Sequence, residues 1–368
     1  IEVEGKSQPQ TENIRIDIIV EGVTEDTVWS CGLEFDYAND ESFYCRPLRI
    51  SNGNGKSPDR MEIPAVAKGE RVAFLPPMSG LAAVEPKWEP GRINVLIGEG
   101  QTAQVLRNLC YQIYSRTEDH ATWKTLIDNI QQLFGVKLLP PNHISERGEI
   151  TMAYEEPNGT QLDLSSSGRG LQQTLLLLAH LYANPRTVLL LDEPDAHLEI
   201  LRQRQIYKLI TDVANLQGSQ IVAASHSEIV LNEAADRDVV IAFVGKPHRI
   251  DDRGSQVAKA LKDIGFDHYY QAEQTGWVLY LEGSTDLDML RRFAEILEHP
   301  ATHCLERPFV VYVGNNANEV RKHFGGLREA KRDLVGVAIF DRLDRTLPED
   351  LIVACLQWQR REIENYIC

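Results

Sequence analysis

The stretch "LDLSSSGRGLQQTLLLLAHLYANPRTVLLLDEPDAHL", residues 162 to 198, limits the folds open to this chain more than any other. Its apolar run at 188 to 191 leads straight into Asp192 and Glu193. Continuous rather than alternating apolarity is what burial on both faces of a parallel strand produces. Such a strand delivers its terminal carboxylates to the C-terminal edge of an open α/β sheet, where these folds bind ligands. Upstream, Ser165, Ser166, Ser167 and Gly168 stand just before a helix expected after Gly170, and backbone N–H groups at a helix N-terminus form an anion site. Downstream, the next apolar strand, "QIVAASH", ends on His226. Together these residues describe phosphate chemistry: Asp192 holds Mg²⁺ through water, Glu193 orients and deprotonates the attacking water, and His226 contacts the γ-phosphate and reports its presence.

The run 162 to 198 with "SHS" at 225 to 227 resembles the ABC-type ATPases of the DNA-repair and SMC-like group. In those families the serine-glycine signature of one subunit completes the ATP site of another. The resemblance therefore implies a trans contact of Ser167 and Gly168 with the γ-phosphate, and a homo-oligomer formed through the ATPase domains. Ser-Ser-Ser-Gly-Arg-Gly-Leu-Gln departs from the transporter signature L-S-G-G-Q and suits the nucleic-acid-associated branch.

An ATPase also needs a phosphate-binding loop, and two stretches imitate one. A P-loop requires G-x-x-x-x-G-K-[ST] between a buried strand and a helix. For Gly55-Lys56-Ser57 the first glycine should be residue 50, which is Ile50, and Pro58 and Pro64 follow where the helix should be. "EGKS" at 4 to 7 is followed by Pro9. In the resembling families the P-loop precedes the β-rich lobe, so it is expected upstream of Ile1. The chain opens on Ile rather than Met and stops at Cys368 just after "REIENY", and is expected to be part of something longer.

Around the ATPase motifs, residues 13 to 50 alternate in strand fashion, and 51 to 92 read as Gly- and Pro-rich loops around one short strand, "RVAFLPP". Helical spacing at 102 to 114 and 121 to 134 predicts a helical insert. A helix from 198 to about 216 and the strands "QIVAASH" and "DVVIAFV" continue the α/β core. These elements make up an ABC-type ATPase domain over residues 1 to 250, with a β-rich lobe, a helical insert and a parallel α/β core. A polar linker is expected at 251 to 275, and a second, Toprim-like α/β domain, possibly truncated, at 276 to 368.

In that second part "VLYLEGSTDLDML" ends a buried strand on Glu282 and opens a helix with Asp286 one turn in. "GVAIFDRLD" ends another strand on Asp341, with Asp344 beyond it, and "REIENY" adds Glu362 and Glu364. Strands that bring carboxylates to one sheet edge form a hard-oxygen site suited to Mg²⁺ or Mn²⁺. Two such ions clamp the attacking and leaving oxygens of a phosphodiester. The candidate ligands are Glu282, Asp286, Asp341, Asp344 and Glu364, with Asp192 serving the ATPase ion. The pattern resembles the Toprim fold of topoisomerases, primases and certain nucleases, although Asp-Arg-Leu-Asp is one residue longer than Asp-x-Asp. An ABC-type ATPase followed by Toprim resembles the OLD (overcoming lysogenization defect) family of nucleases, several of which serve in bacterial anti-phage defence.

Composition narrows the partners. Lys and Arg number 38 against 54 Asp and Glu, a net charge of -16, which excludes a generally basic nucleic-acid surface but allows a local groove or metal-bridged phosphate contacts. The cysteines are scattered, without zinc spacing or a C-x-x-C pair, as in a reduced cytoplasmic protein, and no apolar run is long enough to span a membrane. The expected function is an ATP-dependent, Mg²⁺- or Mn²⁺-dependent nuclease acting on nucleic acid, DNA foremost. The alternative is an ATPase sensor or scaffold whose second domain is idle and binds a partner protein or trigger.

Overall fold

The structure is a computed structural model that describes residues 14–24, 26–39, 42–50, 59–116, 120–235, 237–243, 247–250, 261, 263–342 and 352–367. Both P-loop imitations, at 4 to 7 and 52 to 57, and Asp344 lie outside the described residues. The chain divides into two compact units: residues 1–192 with 211–223, and residues 193–210 with 224–368.

In the first unit, strands β1 (Ile14–Thr24), β2 (Thr27–Asn39) and β3 (Ser42–Pro47) form the antiparallel sheet that the alternation predicted. Its register sets Asp17 opposite Glu34, and Glu34 opposite Arg46. Glu34 is fully buried and lies 2.9 to 3.3 Å from guanidinium nitrogens of Arg15, Arg46, Arg49 and Arg60. Burial would raise its pKa, but the hydrogen bonds from Arg49 and Arg60 outweigh burial and hold it at about 2.

Beyond this lobe, β4 (Arg71–Leu75) is the strand in "RVAFLPP". It pairs in parallel with β5 (Thr187–Asp192), and β6 (Gln220–Ala224) completes the sheet in the order β6-β5-β4. Helix α1 (Pro90–Gly98), which was not expected, precedes the helical insert of α2 (Leu106–Ser115) and α3 (Ala121–Phe134). Helix α4 (Arg169–Ala183) runs through the core, buried from Leu171 to Ala183, and packs on α2 and α3. A helix apolar on nearly every side is stable only when enclosed in this way.

The second unit holds α5 from Ile200 (Ile200–Gln217, whose end returns to the first unit) and α6 (Glu228–Ala234). Among the described residues of the expected strand "DVVIAFV", 241–242 pair antiparallel with 248–249, and Val239, Ile241 and Phe243 are exposed. Its apolar run was legible, but nothing in the run specified a parallel neighbour. Helix α7 (Phe266–Thr275) occupies the end of the expected linker and buries Phe266, Tyr269 and Ala272. Those three lie on one face at spacings of three, a periodicity diluted by polar neighbours.

A βαβ run follows through β7 (Trp277–Leu281), α8 (Ser284–Ile296), α9 (Ala301–Glu306), β8 (Val310–Tyr312), α10 (Ala317–Ala330), β9 (Val335–Phe340) and β10 (Ala354–Gln357), in which β7, α8 and β9 were expected and α9 and β10 were not. The sheet order is β8-β7-β9-β10, parallel throughout. Alternation along β7 assigns its two faces. Val278 and Tyr280 join Val320, Phe324 and Leu327 of α10, while Leu279 and Leu281 join Leu287 and Ala294 of α8. Gly336 admits the Phe324 ring, because a Cβ there would sit 2.6 Å from Phe324 Cε2.

Candidate functional site

Three sets of predicted site residues occur. In the first unit, Gly168 is the N-cap of α4, with extended backbone at φ -63° and ψ 148°. The loop before it is held from below. Asp163 Oδ1 accepts from Ser165 N (2.8 Å) and Ser165 Oγ (2.6 Å), and Arg107 Nη2 donates to the same oxygen at 3.1 Å. Arg107 is almost fully buried, and its backbone N–H and those of Asn108 are received by the buried Glu85 carboxylate. Ser167 Oγ donates to Leu164 O at 2.7 Å, and the buried Gln172 Nε2 donates to Ser167 O at 3.0 Å. The loop is therefore fixed from the interior, with Ser165, Ser166 and Gly168 exposed. Gly170 lies in the first helical turn and accepts from Thr174 Oγ1. Asp192 is exposed at the end of β5. Among the described residues no hydrogen bond joins Asp192 to the loop at 165–168.

The second set lies in the second unit. Glu193 has a left-handed backbone, φ 45°, which costs a non-glycine residue energy and persists only where neighbours hold it. Here its N–H donates to Ala224 O at 2.8 Å. Ser225 Oγ donates to Asp195 Oδ1 (2.6 Å), and Ser227 caps α6 while donating to Gln203. His226 lies in this clasp, its Nε2 3.3 Å from Glu193 Oε1, with an exposed imidazole. The predicted base and the predicted switch are thus in contact, and their side chains open to solvent.

The third set forms at the C-terminal edge of the four-stranded sheet. Glu282 directly follows β7 and Asp341 directly follows β9, and a side-chain contact with Asp341 is the chief influence on the Glu282 carboxyl. That contact, then burial and the Asp341 charge, push the Glu282 pKa up to about 7. Asn315, itself left-handed at φ 60°, lies between the strands. Its Nδ2 donates to Asp341 Oδ2 at 3.2 Å, and its Oδ1 accepts from Asp341 N at 3.0 Å. Asp286 is turned to the backbone, its Oδ2 accepting from Glu282 N and Gly283 N at 3.0 and 3.1 Å. Burial raises its pKa, and the charges of Asp341 and Glu364 add to the rise, so four carboxylates share one electrostatic neighbourhood. Glu364 sits on the single turn Ile363–Tyr366.

Among the described residues no group of three or more His, Cys, Asp or Glu side chains is arranged to hold a metal ion. The Glu282–Asp341 pair nonetheless fits a divalent cation. A carboxyl whose pKa is raised by a neighbouring carboxylate is a site a cation would neutralise, and Mg²⁺ commonly takes one or two carboxylates with water and phosphate oxygens. The Asp341 contact holds the Glu282 pKa at about 7, well above the ordinary 4.5, so below pH 7 a proton on Glu282 competes with a cation. Mn²⁺ affinity, measured by calorimetric titration, is expected to fall as pH is lowered from 8 to 6, roughly tenfold per proton displaced per pH unit in the acid limb. Affinity that is flat across this range would remove the pair from the site.

Sequence reasoning missed Asn315, Arg107 and Asp163. The first had a signal, Gly314-Asn315 directly after an apolar strand, the turn chemistry of a left-handed position. The other two had none, because their role arises from contacts between distant segments.

Residues 112–232 match the family model described as "AAA domain, putative AbiEii toxin, Type IV TA system". The matched stretch contains the signature loop, Asp192, Glu193 and His226, and supports an ATPase of this type with ATP as its nucleotide. Similar solved structures are SMC heads. The Smc head domain with a coiled coil and joint from Pyrococcus yayanosii is 17% identical with a TM-score of 0.33, and the match covers 46% of this chain and 32% of that one. The SMC head domain from Thermotoga maritima is 17% identical with a TM-score of 0.34, covering 64% and 73%. An SmcHead bound to the C-winged helix domain of ScpA is 13% identical with a TM-score of 0.40, covering 64% and 74%. The chain thus spans about a third of the length of the first of these structures. No curated protein sequence matches it. Among the described residues no helix is long and apolar enough to cross a membrane.

Proposed function

We propose that the chain belongs to an ATP-gated, Mg²⁺- or Mn²⁺-dependent nuclease of the OLD type, acting on nucleic acid, DNA foremost, in bacterial anti-phage defence. In this reading an ABC-type ATPase domain over 1–250 is joined by 251–275 to a Toprim-like domain over 276–368, and the protein works in the cytoplasm as a homo-oligomer. The observation that carries the nuclease reading is the Glu282–Asp341 pair at the C-terminal edge of a parallel sheet. Glu282 and Asp341 would hold the divalent ion, with Asp286 and Glu364 beside them. The ion, when bound, supplies charge neutralisation and an activated oxygen nucleophile for phosphodiester hydrolysis. This chain's own contribution is to hold the two carboxylates together through Asn315 and to keep Asp286 committed to the strand end.

ATP is read as the gate. Asp192 would serve its Mg²⁺, Glu193 would take the proton from water, and His226 would register the γ-phosphate. The fixed, exposed signature loop supports a site completed by a second copy. A Cβ at Gly168 would meet nothing within 4 Å, and φ there is ordinary, so Gly168→Asp should fold and extend only into open space. Mixing Gly168→Asp with Glu193→Gln chains is expected to restore about one working site per heterodimer, read as phosphate release above the sum of the parents. Activity equal to that sum would rule out the trans arrangement.

The test of the whole reading is a nuclease assay on the full-length protein, with and without ATP and with Mg²⁺ or Mn²⁺. A second reading, an ATPase sensor or scaffold with an idle second domain that binds a partner protein, draws on the lack of a three-ligand metal group among the described residues. It predicts ATP turnover without cleavage under every metal condition.

A further inference from the structure

A carboxylate pair repels the phosphodiester it is meant to receive, so a nuclease needs cationic groups nearby to bring the backbone in. The strip 357–366, which contains the "REIENY" motif, is stitched to the strand end that carries Asp341. Trp358 N donates to Phe340 O (3.0 Å), Gln357 Nε2 to Asp341 O (3.1 Å), and Arg342 N to Arg361 O (3.0 Å). Arg342 Nη1 also donates to Gln359 O at 3.3 Å. Three arginines, Arg342, Arg360 and Arg361, therefore flank Asp341, all exposed, within a chain whose net charge is -16.

Aromatic rings lie among them. The Arg360 guanidinium carbon is 5.1 Å from the centre of the Tyr366 ring, and its side chain donates to Asn365 O. Tyr366 Oη accepts from Arg360 N at 2.9 Å, which fixes the ring. The Trp358 and Tyr366 rings are 5.2 Å apart, tilted by 48°. Tyr366 is 37% exposed and Trp358 is half-buried. Guanidinium, phenol and indole thus form a short ladder. Arginines interleaved with aromatic rings are how sequence-tolerant sites hold unpaired nucleotides: the cations track the backbone and the rings stack on bases. A duplex keeps its base faces inside its own stack and offers such a ladder nothing. An acidic peptide would use the arginines but leave the rings idle.

We propose that Arg342, Trp358, Arg360, Arg361 and Tyr366 form a docking ledge for single-stranded nucleic acid leading to the Glu282–Asp341 pair. This deepens the nuclease reading above and rests on it for the role of the pair, but the binding itself does not require cleavage. The arginines take phosphates, Trp358 and Tyr366 take bases, and the strand continues toward the carboxylates. Substrates with unpaired ends or loops would be preferred.

The experiment is fluorescence anisotropy of the full-length protein with a labelled oligothymidine of roughly 16 nucleotides, and with a duplex of the same length, in EDTA. The single strand is expected to bind at least about tenfold more tightly than the duplex. Trp358→Ala should weaken that binding about tenfold, and Trp358→Phe should restore most of it. Arg361→Gln should flatten the dependence of log affinity on log salt by about 0.7. The Arg361 side chain is 86% exposed, so this variant decides the matter should Trp358→Ala fail to fold. Equal affinity for duplex, competition by polyglutamate as effective as by oligothymidine, or unchanged single-strand binding and salt dependence in folded variants would each overturn the ledge. Single-strand binding that responds to these variants, without cleavage in Mn²⁺, would leave the ledge standing and remove the nuclease reading. Cleavage with KM unaltered in Trp358→Ala and Arg361→Gln would do the reverse.

Discussion

Glu193→Gln is expected to lower ATP turnover by about two to four orders of magnitude, the usual range for loss of a general base. Glutamine matches glutamate in shape, so the left-handed backbone at 193 and its N–H bond to Ala224 O need not change. What is lost is a carboxylate able to accept the proton of water. The contact with His226 Nε2, 3.3 Å in the present geometry, can persist through the amide. The variant should therefore still bind ATP and still associate, accumulating the ATP-bound form. Phosphate release measured beside nucleotide binding separates the two effects. Unchanged turnover would sink the assignment of Glu193, and loss of nucleotide binding would mean that the substitution disturbed the clasp rather than the chemistry.

Removal of either member of the second pair is expected to lower nucleic-acid cleavage by about three orders of magnitude, since metal assistance is worth several kcal/mol in such reactions and each 1.36 kcal/mol is tenfold. ATP turnover should be largely retained, because Glu282 and Asp341 are not among the groups assigned to the nucleotide. Asp341→Ala would also strip Asn315 of an acceptor, so Asp341→Asn is the cleaner variant: it keeps the shape and leaves an oxygen facing Asn315 Nδ2. It carries a second readout. Without the Asp341 carboxylate the chief cause of the raised Glu282 pKa disappears, and Glu282 should titrate well below its present value of about 7. Mn²⁺ binding should be lost with it. Asp344→Ala is expected to have a smaller effect, since its spacing departs from Asp-x-Asp. A wild type that binds no Mn²⁺ and cuts no substrate under any ATP condition would leave the sensor or scaffold reading in possession.

Much of this architecture could be read from local pattern. Residues 121 to 134 declare a helix through spacing, and the runs ending at Asp192, Glu282 and Asp341 declare strands that carry acids to a sheet edge. Partners were less legible. "RVAFLPP" reads as a short strand among loops, yet residues 71 to 75 lie beside 187 to 191, and side-chain alternation specifies a face but not a neighbour. Residues 238 to 244 look like one more core strand, yet among the described residues of that run only 241 and 242 pair with another strand. The site divides in the same way. Its acids are written in motifs, whereas the Ser225–Asp195 bond, the Asn315 bridge and the Arg107–Asp163 support depend on chain segments meeting in space.

The four arginines gathered on Glu34 make a mutational asymmetry. Loss of any one leaves three guanidinium groups to satisfy the carboxylate, so positions 15, 46, 49 and 60 can drift singly at modest cost. Loss of Glu34 removes the common counter-charge and leaves four like charges crowded over one spot, with Asp36 and Asp17 each reaching only some of them. Such a hub tolerates change at its spokes and forbids it at its centre, so the lobe's evolutionary freedom is decided by a single buried acid far from any catalytic motif in the sequence.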